Sequence, residues 1–390
     1  MNTEMNTDLR HALTERAARA GGAPLDLGQV MTRGSRLRRR RRATGVLAVG
    51  LSVAAVATSS VLLTQLGQDH GPAPAASEST PPIVWARGAE IHVDGATVRS
   101  AAPVVTLIQS GHGIVWSDAH RAVWSMEFDS PRPDRQPERV GTVAENREQL
   151  RTDGDVVAWI GTGTSGAGGA EVVTLEHGST SPAAGTGFGS AEDRLVAVDG
   201  GQFYLHRGGQ LVRTVSSEQD GEHSAHSVTY EPLGEWEEET SVPAVVNGQV
   251  LSVARPDDAD PVGRVGPNLT TGPTFNLWMA LALSTDASLV VGESEPDRGA
   301  VVDVATGAVR PLAPEGYAFS VGYRWIDADT FLALAVPGDP SKELDSAAST
   351  AVLQCDAPVG AATVTCREVL SDIGTLDDAF VVPFGDPMDG

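Results

Sequence analysis

Hydrophobic and polar positions are patterned differently in different parts of this chain. Near the N-terminus, Ala43 to Gln68 contains no charged residue. An apolar helix needs about 20 residues to cross the hydrocarbon core of a bilayer. The run therefore predicts a transmembrane helix over 43–66. Beyond it, 67–82 is a Pro/Ala/Ser-rich linker, and after Pro82 the pattern changes to short β-rich runs separated by Gly, Asp, Pro and Asn turns. One such run reads Ile83–Trp85, Ile114–Trp116 and Val156–Ile160, and related runs start at Leu195, Val250, Leu289 and Phe331. The starts lie 31 to 55 residues apart, most near 40, which is the period of a four-stranded propeller blade.

Three hairpins repeat a second pattern: Glu90–Arg99, Gln202–Arg213 and Val301–Arg310. Each is a strand, a turn containing glycine, and a strand ending Val-Arg. Asp94-Gly95, Gly208-Gly209 and Thr306-Gly307 are residue pairs suited to the positive φ angles of tight turns. The expected fold class is all-β, a six- or seven-bladed β-propeller over 83–390. The stretch Asp377–Phe384 is a candidate for the strand that closes the ring against the first blade. A pair of β-sandwiches is the rival architecture, and a period of about 40 residues argues against it. The repeated units resemble the blades of WD40-like and quinoprotein-like propellers, whose strands are joined by Asp-x-x-Thr-Gly turns. Neither a Gly-His…Trp-Asp signature nor a quinone-cofactor motif accompanies them, so the resemblance implies a fold and no cofactor.

Charge divides the chain into two objects. Residues 1–42 hold ten arginines against four acids, a balance of +6; the remaining 18 basic and 47 acidic groups carry −29, for −23 overall. Six of those arginines (Arg36, Arg38, Arg39, Arg40, Arg41 and Arg42) abut the apolar run, while the linker on its other side has no Lys or Arg. The positive-inside rule then orients a single-pass protein of the cell membrane with its N-terminus in the cytoplasm and its acidic body outside. A cleaved signal peptide competes through Ala73-Pro74-Ala75, but a signal h-region spans roughly 7–15 residues. Both readings export the body. An acidic body repels phosphate backbones, so no nucleic-acid partner is expected, whereas anionic lipid attracts the arginine run.

The basic head begins with a short helical pattern, capped by Thr7 or Asp8, carrying Leu9, Leu13 and Ala17 on one face, and stopped by Gly21-Gly22. The layout of short helix, Leu25-Asp26-Leu27, arginine run, Ala/Val-rich helix, linker and exported β domain resembles many actinobacterial membrane proteins. Some proteins of that plan are anti-sigma factors, which implies a cytoplasmic protein partner for residues 1–42 as one reading. Their zinc-binding subclass carries His-x-x-x-Cys-x-x-Cys; His11 is followed by no such cysteines.

Candidate chemistry is sparse. Cys355 and Cys366 fall on opposing strands of a late hairpin in an exported body, so a disulfide is expected. Trp85, Trp116 and Trp159 recur inside apolar strands and read as blade packing; Trp236, in the acidic stretch Gly234–Thr240, is the tryptophan best suited to touch a ligand. Gly161–Gly169 lacks the Gly-Lys-Ser/Thr ending of a phosphate loop. His223 and His226 lack a third ligand at recognisable spacing, and the acidic clusters lack the alternation of a calcium loop. No catalytic, cofactor-binding or metal-binding residue is assigned. The expected function is a non-enzymatic binding or scaffold module for a protein, peptide or glycan outside the membrane. The alternatives are a transmembrane signal regulator, and a hydrolase or lyase with carboxylates scattered over several blades.

Overall fold

The computed structural model describes residues 82–384, apart from 129–136, 146–148, 163–168, 177–178, 184–189, 191, 218–226, 238, 256–259, 343 and 378–379. Within them, strands assemble into seven four-stranded antiparallel sheets, which fixes the blade number at seven. Blade 1 is β1 (Val84–Arg87), β2 (Glu90–Val93) and β3 (Ala96–Arg99), with the C-terminal β28 (Phe380–Val381) paired to β1. Blade 2 is β4 (Val104–Gln109), β5 (Gly113–Asp118), β6 (Ala122–Glu127) and β7 (Glu138–Thr142). Blade 3 is β8 (Leu150–Asp153), β9 (Val156–Gly161), β10 (Gly169–Glu176) and β11 (Ser179–Ala183). Blade 4 is β12 (Arg194–Asp199), β13 (Gln202–Arg207), β14 (Gln210–Ser217) and β15 (Ser227–Glu235). Blade 5 is β16 (Thr240–Val246), β17 (Gln249–Ala254), β18 (Val262–Gly266) and β19 (Thr274–Asn276). Blade 6 is β20 (Met279–Leu283), β21 (Leu289–Glu295), β22 (Arg298–Asp303) and β23 (Val309–Pro311). Blade 7 is β24 (Tyr317–Trp325), β25 (Thr330–Pro337), β26 (Ala351–Asp356) and β27 (Thr365–Leu370).

The first strands of successive blades touch one another around the axis, from β4 through β8, β12, β16 and β20 to β24. Neighbouring blades cover both faces of each sheet, so inner and second strands bury consecutive residues and read as unbroken apolar runs. Trp116 and Trp159 are completely buried on β5 and β9. Their indole N–H groups donate to Ser100 Oγ at 3.0 Å and to Glu171 Oε2 at 2.9 Å. Trp85, on β1, is half-buried and stacks on His92 with ring centroids 3.9 Å apart.

Two features of the repeat differ from the expectation. The run at Leu195 lies on β12, the inner strand, whereas the other six lie on or lead into second strands; the equivalent strand of blade 4 is β13. Both strands are buried on two sides, so apolar content alone does not separate them. The three hairpins are also not equivalent. Those at Glu90–Arg99 and Val301–Arg310 join third to fourth strands, while Gln202–Arg213 joins second to third. Asp94-Gly95 and Gly208-Gly209 do adopt positive φ at both residues. In the third turn only Gly307 does, and Asp303 Oδ1 instead accepts from both the backbone N–H and the hydroxyl of Thr306, each at 2.8 Å. Those two bonds hold the Asp303 carboxyl below the usual carboxylate range.

The ring closes as the stretch Asp377–Phe384 suggests. In β28, Phe380 pairs with Arg87 and Val381 with Ala86. Phe384 then packs edge-on against Tyr323 of β24 at 5.2 Å. A buried arginine reinforces this seam. Arg324 of β24 donates to the Gln109 side chain at the end of β4, and Gln109 Nε2 donates to the Pro82 carbonyl at 2.8 Å. These bonds tie blade 7 to blade 2 across the short inner strand of blade 1. On the same side of the ring, turns are clasped by the preceding blade. Asp199 accepts from the backbone N–H groups of Asn247 and Gly248 at 2.8 and 2.7 Å, and Asn247 Nδ2 donates to the Thr285 carbonyl at 2.9 Å. Asp153 receives the N–H groups of Gly200 and Gly201, yet burial and the neighbouring Asp199 carboxylate push its carboxyl up.

Cys355 and Cys366 are direct cross-strand partners on β26 and β27, with their sulphurs bonded. The bond closes a short loop, so replacing both cysteines by alanine is expected to cost about 2–3 kcal/mol. Urea midpoints of the oxidised protein and the double variant measure it, and equal midpoints would deny the bond any role. The predicted head (1–42), transmembrane helix (43–66) and linker (67–82, save its last residue) lie outside the described residues. Among the described residues, no helix is long and apolar enough to cross a membrane.

Candidate functional site

One face of the ring carries the turns between second and third strands together with the connections from each blade to the next. A cavity of about 1230 Å³ opens on this face between blades 6 and 7. Four segments supply its walls: the β21–β22 turn, the β23–β24 connection, the β25–β26 connection and the residues just before β28. Prolines 296, 311, 314 and 340 fix much of this wall, and Leu312, Phe319, Leu344 and Leu376 give it an apolar floor. Proline is suited to such a wall because its ring pre-sets φ in irregular backbone.

The charges at the rim are unbalanced. Glu295, Asp297, Glu315 and Asp377 line the cavity, against Arg298 and Lys342. Both bases already lie near acids: Arg298 Nε is 3.5 Å from Glu295, and Lys342 Nζ is 3.9 Å from Asp339. These are exposed pairs, worth little individually. Tyr317 donates its hydroxyl to Glu368. Burial, then this carboxylate, push the phenol up to about 12, so it stays a neutral donor.

Next to the lining residue Ser294, but enclosed within the blade, stands an unusual carboxylate. Glu293 of β21 is 0% exposed, and the Asp297 backbone N–H is the one donor that acts on its carboxyl. Strand alternation places it on the blade-7 side. Leu289 and Val291 pack into the cluster that contains Phe319 and Val321, and the intervening Gly292 faces Met279, Ala280 and Leu277. Glu293 pairs with Met279 on β20 and Gly299 on β22. Gly299 lines the cavity, and any side chain there would collide with the Ser320 carbonyl. Its missing side chain therefore lets blades 6 and 7 meet directly beneath the cavity. The charged groups that act on Glu293 are Asp297, in the turn above it, and Arg255, just after β17. Burial is the main force on its carboxyl, and the Asp297 charge adds to it; the Asp297 N–H and the Arg255 guanidinium pull the other way. The balance raises Glu293 from 4.5 to about 7.

The residues singled out in the sequence do not converge on this cavity. Trp236 lies on the same face but at the junction of blades 4 and 5. It is half-buried, stacked on His206 at 4.7 Å, and packed against the cluster formed by Tyr204, Leu233 and Val245. Its neighbours Glu235 and Glu237 are exposed, and the apolar seam between two blades draws part of the indole inward. Cys355 and Cys366 serve the sheet of blade 7. The six arginines, His223 and His226 lie outside the described residues, as does the middle of Gly161–Gly169, whose ends belong to the hairpin of β9 and β10.

Sequence reasoning missed two residues. Trp278, at the start of β20 on the cavity's face, is 43% exposed. Glu293 itself was visible as a lone acid ending the apolar run Leu289–Gly292. No group of three or more His, Cys, Asp or Glu side chains suited to a metal ion occurs among the described residues.

No family model matches the chain, and no curated protein matches it. Among solved structures, similarity extends to TolB from Acinetobacter baumannii at 14% identity and a TM-score of 0.36, over 58% of this chain and 62% of that one. A putative TolB from Agrobacterium tumefaciens is similar at 12% identity and a TM-score of 0.35, over 79% and 96%. A Mycobacterium tuberculosis puromycin-hydrolyzing peptidase is similar at 12% identity and a TM-score of 0.41, over 72% and 48%. The chain thus spans less than two thirds of the first TolB and about half of the peptidase. The class is set by the strand pairing itself: a seven-bladed β-propeller.

Proposed function

We propose that this protein is anchored in the cell membrane by residues 43–66 and that its propeller, outside the membrane, binds a protein, peptide or glycan without acting on it. The arginine run beside an uncharged stretch and the strongly acidic body support the orientation. The observation that carries the binding role is the cavity between blades 6 and 7, rigidly walled by prolines and open on the connection face. Concave sites with apolar walls and a few polar groups are the usual form of ligand pockets.

Two measurements test this. A reporter enzyme active only outside the cytoplasm, fused after Leu66, is expected to be active; activity confined to a cytoplasmic reporter at that position would overturn the orientation. Peptide and glycan arrays probed with the full chain in detergent are expected to give discrete ligands. Ala313→Trp, which fills the cavity mouth from an exposed position, should abolish that signal, and retained binding would remove the cavity from the function.

A further inference from the structure

The face opposite the cavity carries the turns between first and second strands and between third and fourth strands. The chain enters the ring on that face. Pro82 accepts from Gln109 where β4 ends, and Ile83 exchanges hydrogen bonds with Asp94 in the β2–β3 turn. We propose that this face is held against the bilayer, and that the β26–β27 turn, 357–364, dips an apolar tip into the zwitterionic lipid surface around the anchor. The inference rests on the proposed anchoring by residues 43–66 and adds a second membrane contact to it.

The turn is built for such a surface. In a strongly acidic body, its sequence Ala357-Pro358-Val359-Gly360-Ala361-Ala362-Thr363-Val364 holds no charge. Val359 is 55% exposed, and Val309, beside Arg310 at the start of β23 on the same face, is 42% exposed. The backbone of the turn is satisfied from within. Arg310, itself buried, donates to the carbonyls of Pro358 at 2.9 Å, Ala357 at 3.2 Å and Ala361 at 3.3 Å. The Ala361 N–H donates to the Pro358 carbonyl at 3.0 Å. Carbonyls paired inside the protein can approach hydrocarbon without the cost of losing water. The Cys355–Cys366 disulfide braces the base of the turn, so little ordering remains to be done on contact.

The tether favours the bilayer over any other occupant. The 16 residues 67–82 span at most about 55 Å, and they end on the face that carries the turn. A short tether raises the effective concentration of the lipid surface at the turn, so a tip too small to hold lipid as a free protein can hold it here. Asp329 and Asp356, exposed acids at the base of the turn, would repel anionic headgroups. Phosphatidylcholine is therefore the surface it fits.

Photo-cross-linking tests this on the full chain in phosphatidylcholine nanodiscs at one copy per disc. The probe, p-benzoylphenylalanine, stands at Val359 or, on the cavity face, at Trp278. Lipid adducts at Val359 should exceed those at Trp278 about fivefold or more, and Val359→Asp should cut adducts from a probe at Ala362 about tenfold while Val359→Leu keeps them. Adducts at Val359 no more frequent than at Trp278 overturn the inference, and so does a yield that Val359→Asp leaves unchanged. In vesicles holding many copies, cross-links from Val359 to a second chain in place of lipid overturn it too. If the chain co-elutes with the discs while Val359 gives no adduct, the contact falls and the anchor stands. If the chain does not co-elute with them, both fall.

Discussion

Glu293→Gln is expected to make the protein more stable at pH 8 by about 3 kcal/mol, and to leave it nearly unchanged at pH 4.5. The sign follows from the carboxyl's two environments. In the unfolded chain it titrates near 4.5, and in the folded protein burial raises it to about 7. The folded state therefore holds the proton more tightly. The contribution of the protonated acid is full below pH 4.5 and is lost as the pH rises through 7. Above that, the folded protein carries a buried charge that the Asp297 N–H and the Arg255 guanidinium offset only in part. Glutamine keeps the shape and has no proton to lose. Chemical unfolding of both proteins at half-unit steps from pH 4.5 to 8.5 gives the difference curve, and titrations common to both, such as that of Asp153, cancel in it. Two parallel curves would show that Glu293 is compensated in the folded state.

The fold was more legible in the sequence than the site, for a physical reason. Second strands covered on both faces must be apolar throughout, so stretches such as Val156–Ile160 mark blade after blade. The same rule made Leu195–Val198 of β12 look like a second strand, because inner strands are equally enclosed. Turn chemistry at Asp94-Gly95 and Gly208-Gly209 announced tight hairpins correctly, yet a turn does not record which pair of strands it joins. The cavity draws on residues from Ser294 to Asp377, brought together from four separate connections. No spacing along the chain encodes such a meeting. The acidic neighbours of Trp236 do not record its packing either, because the residues it packs against, Tyr204 and Val245, lie on other strands.

A chain ended after Ala379 is expected not to fold cooperatively. The deletion removes Phe380, Val381, Val382 and Phe384, all at most 5% exposed. Burying such side chains is worth about 1.5–3 kcal/mol each. Together they approach the whole stability of an ordinary domain, about 5–15 kcal/mol. The geometry makes the loss worse than the area suggests. Without β28, β1 loses its inner partner and Tyr323 its edge-on ring. The Arg324 to Gln109 bond then has to bridge blades 7 and 2 unsupported. Phe380→Ala is the graded form of the same experiment, expected to cost about 3–5 kcal/mol while keeping a single transition. Circular dichroism against temperature distinguishes the two, with a broad, low-temperature transition for the truncated chain and a sharp, shifted one for the point variant. A truncated chain that melts like the parent would mean that the three remaining strands of blade 1 hold the ring closed by themselves.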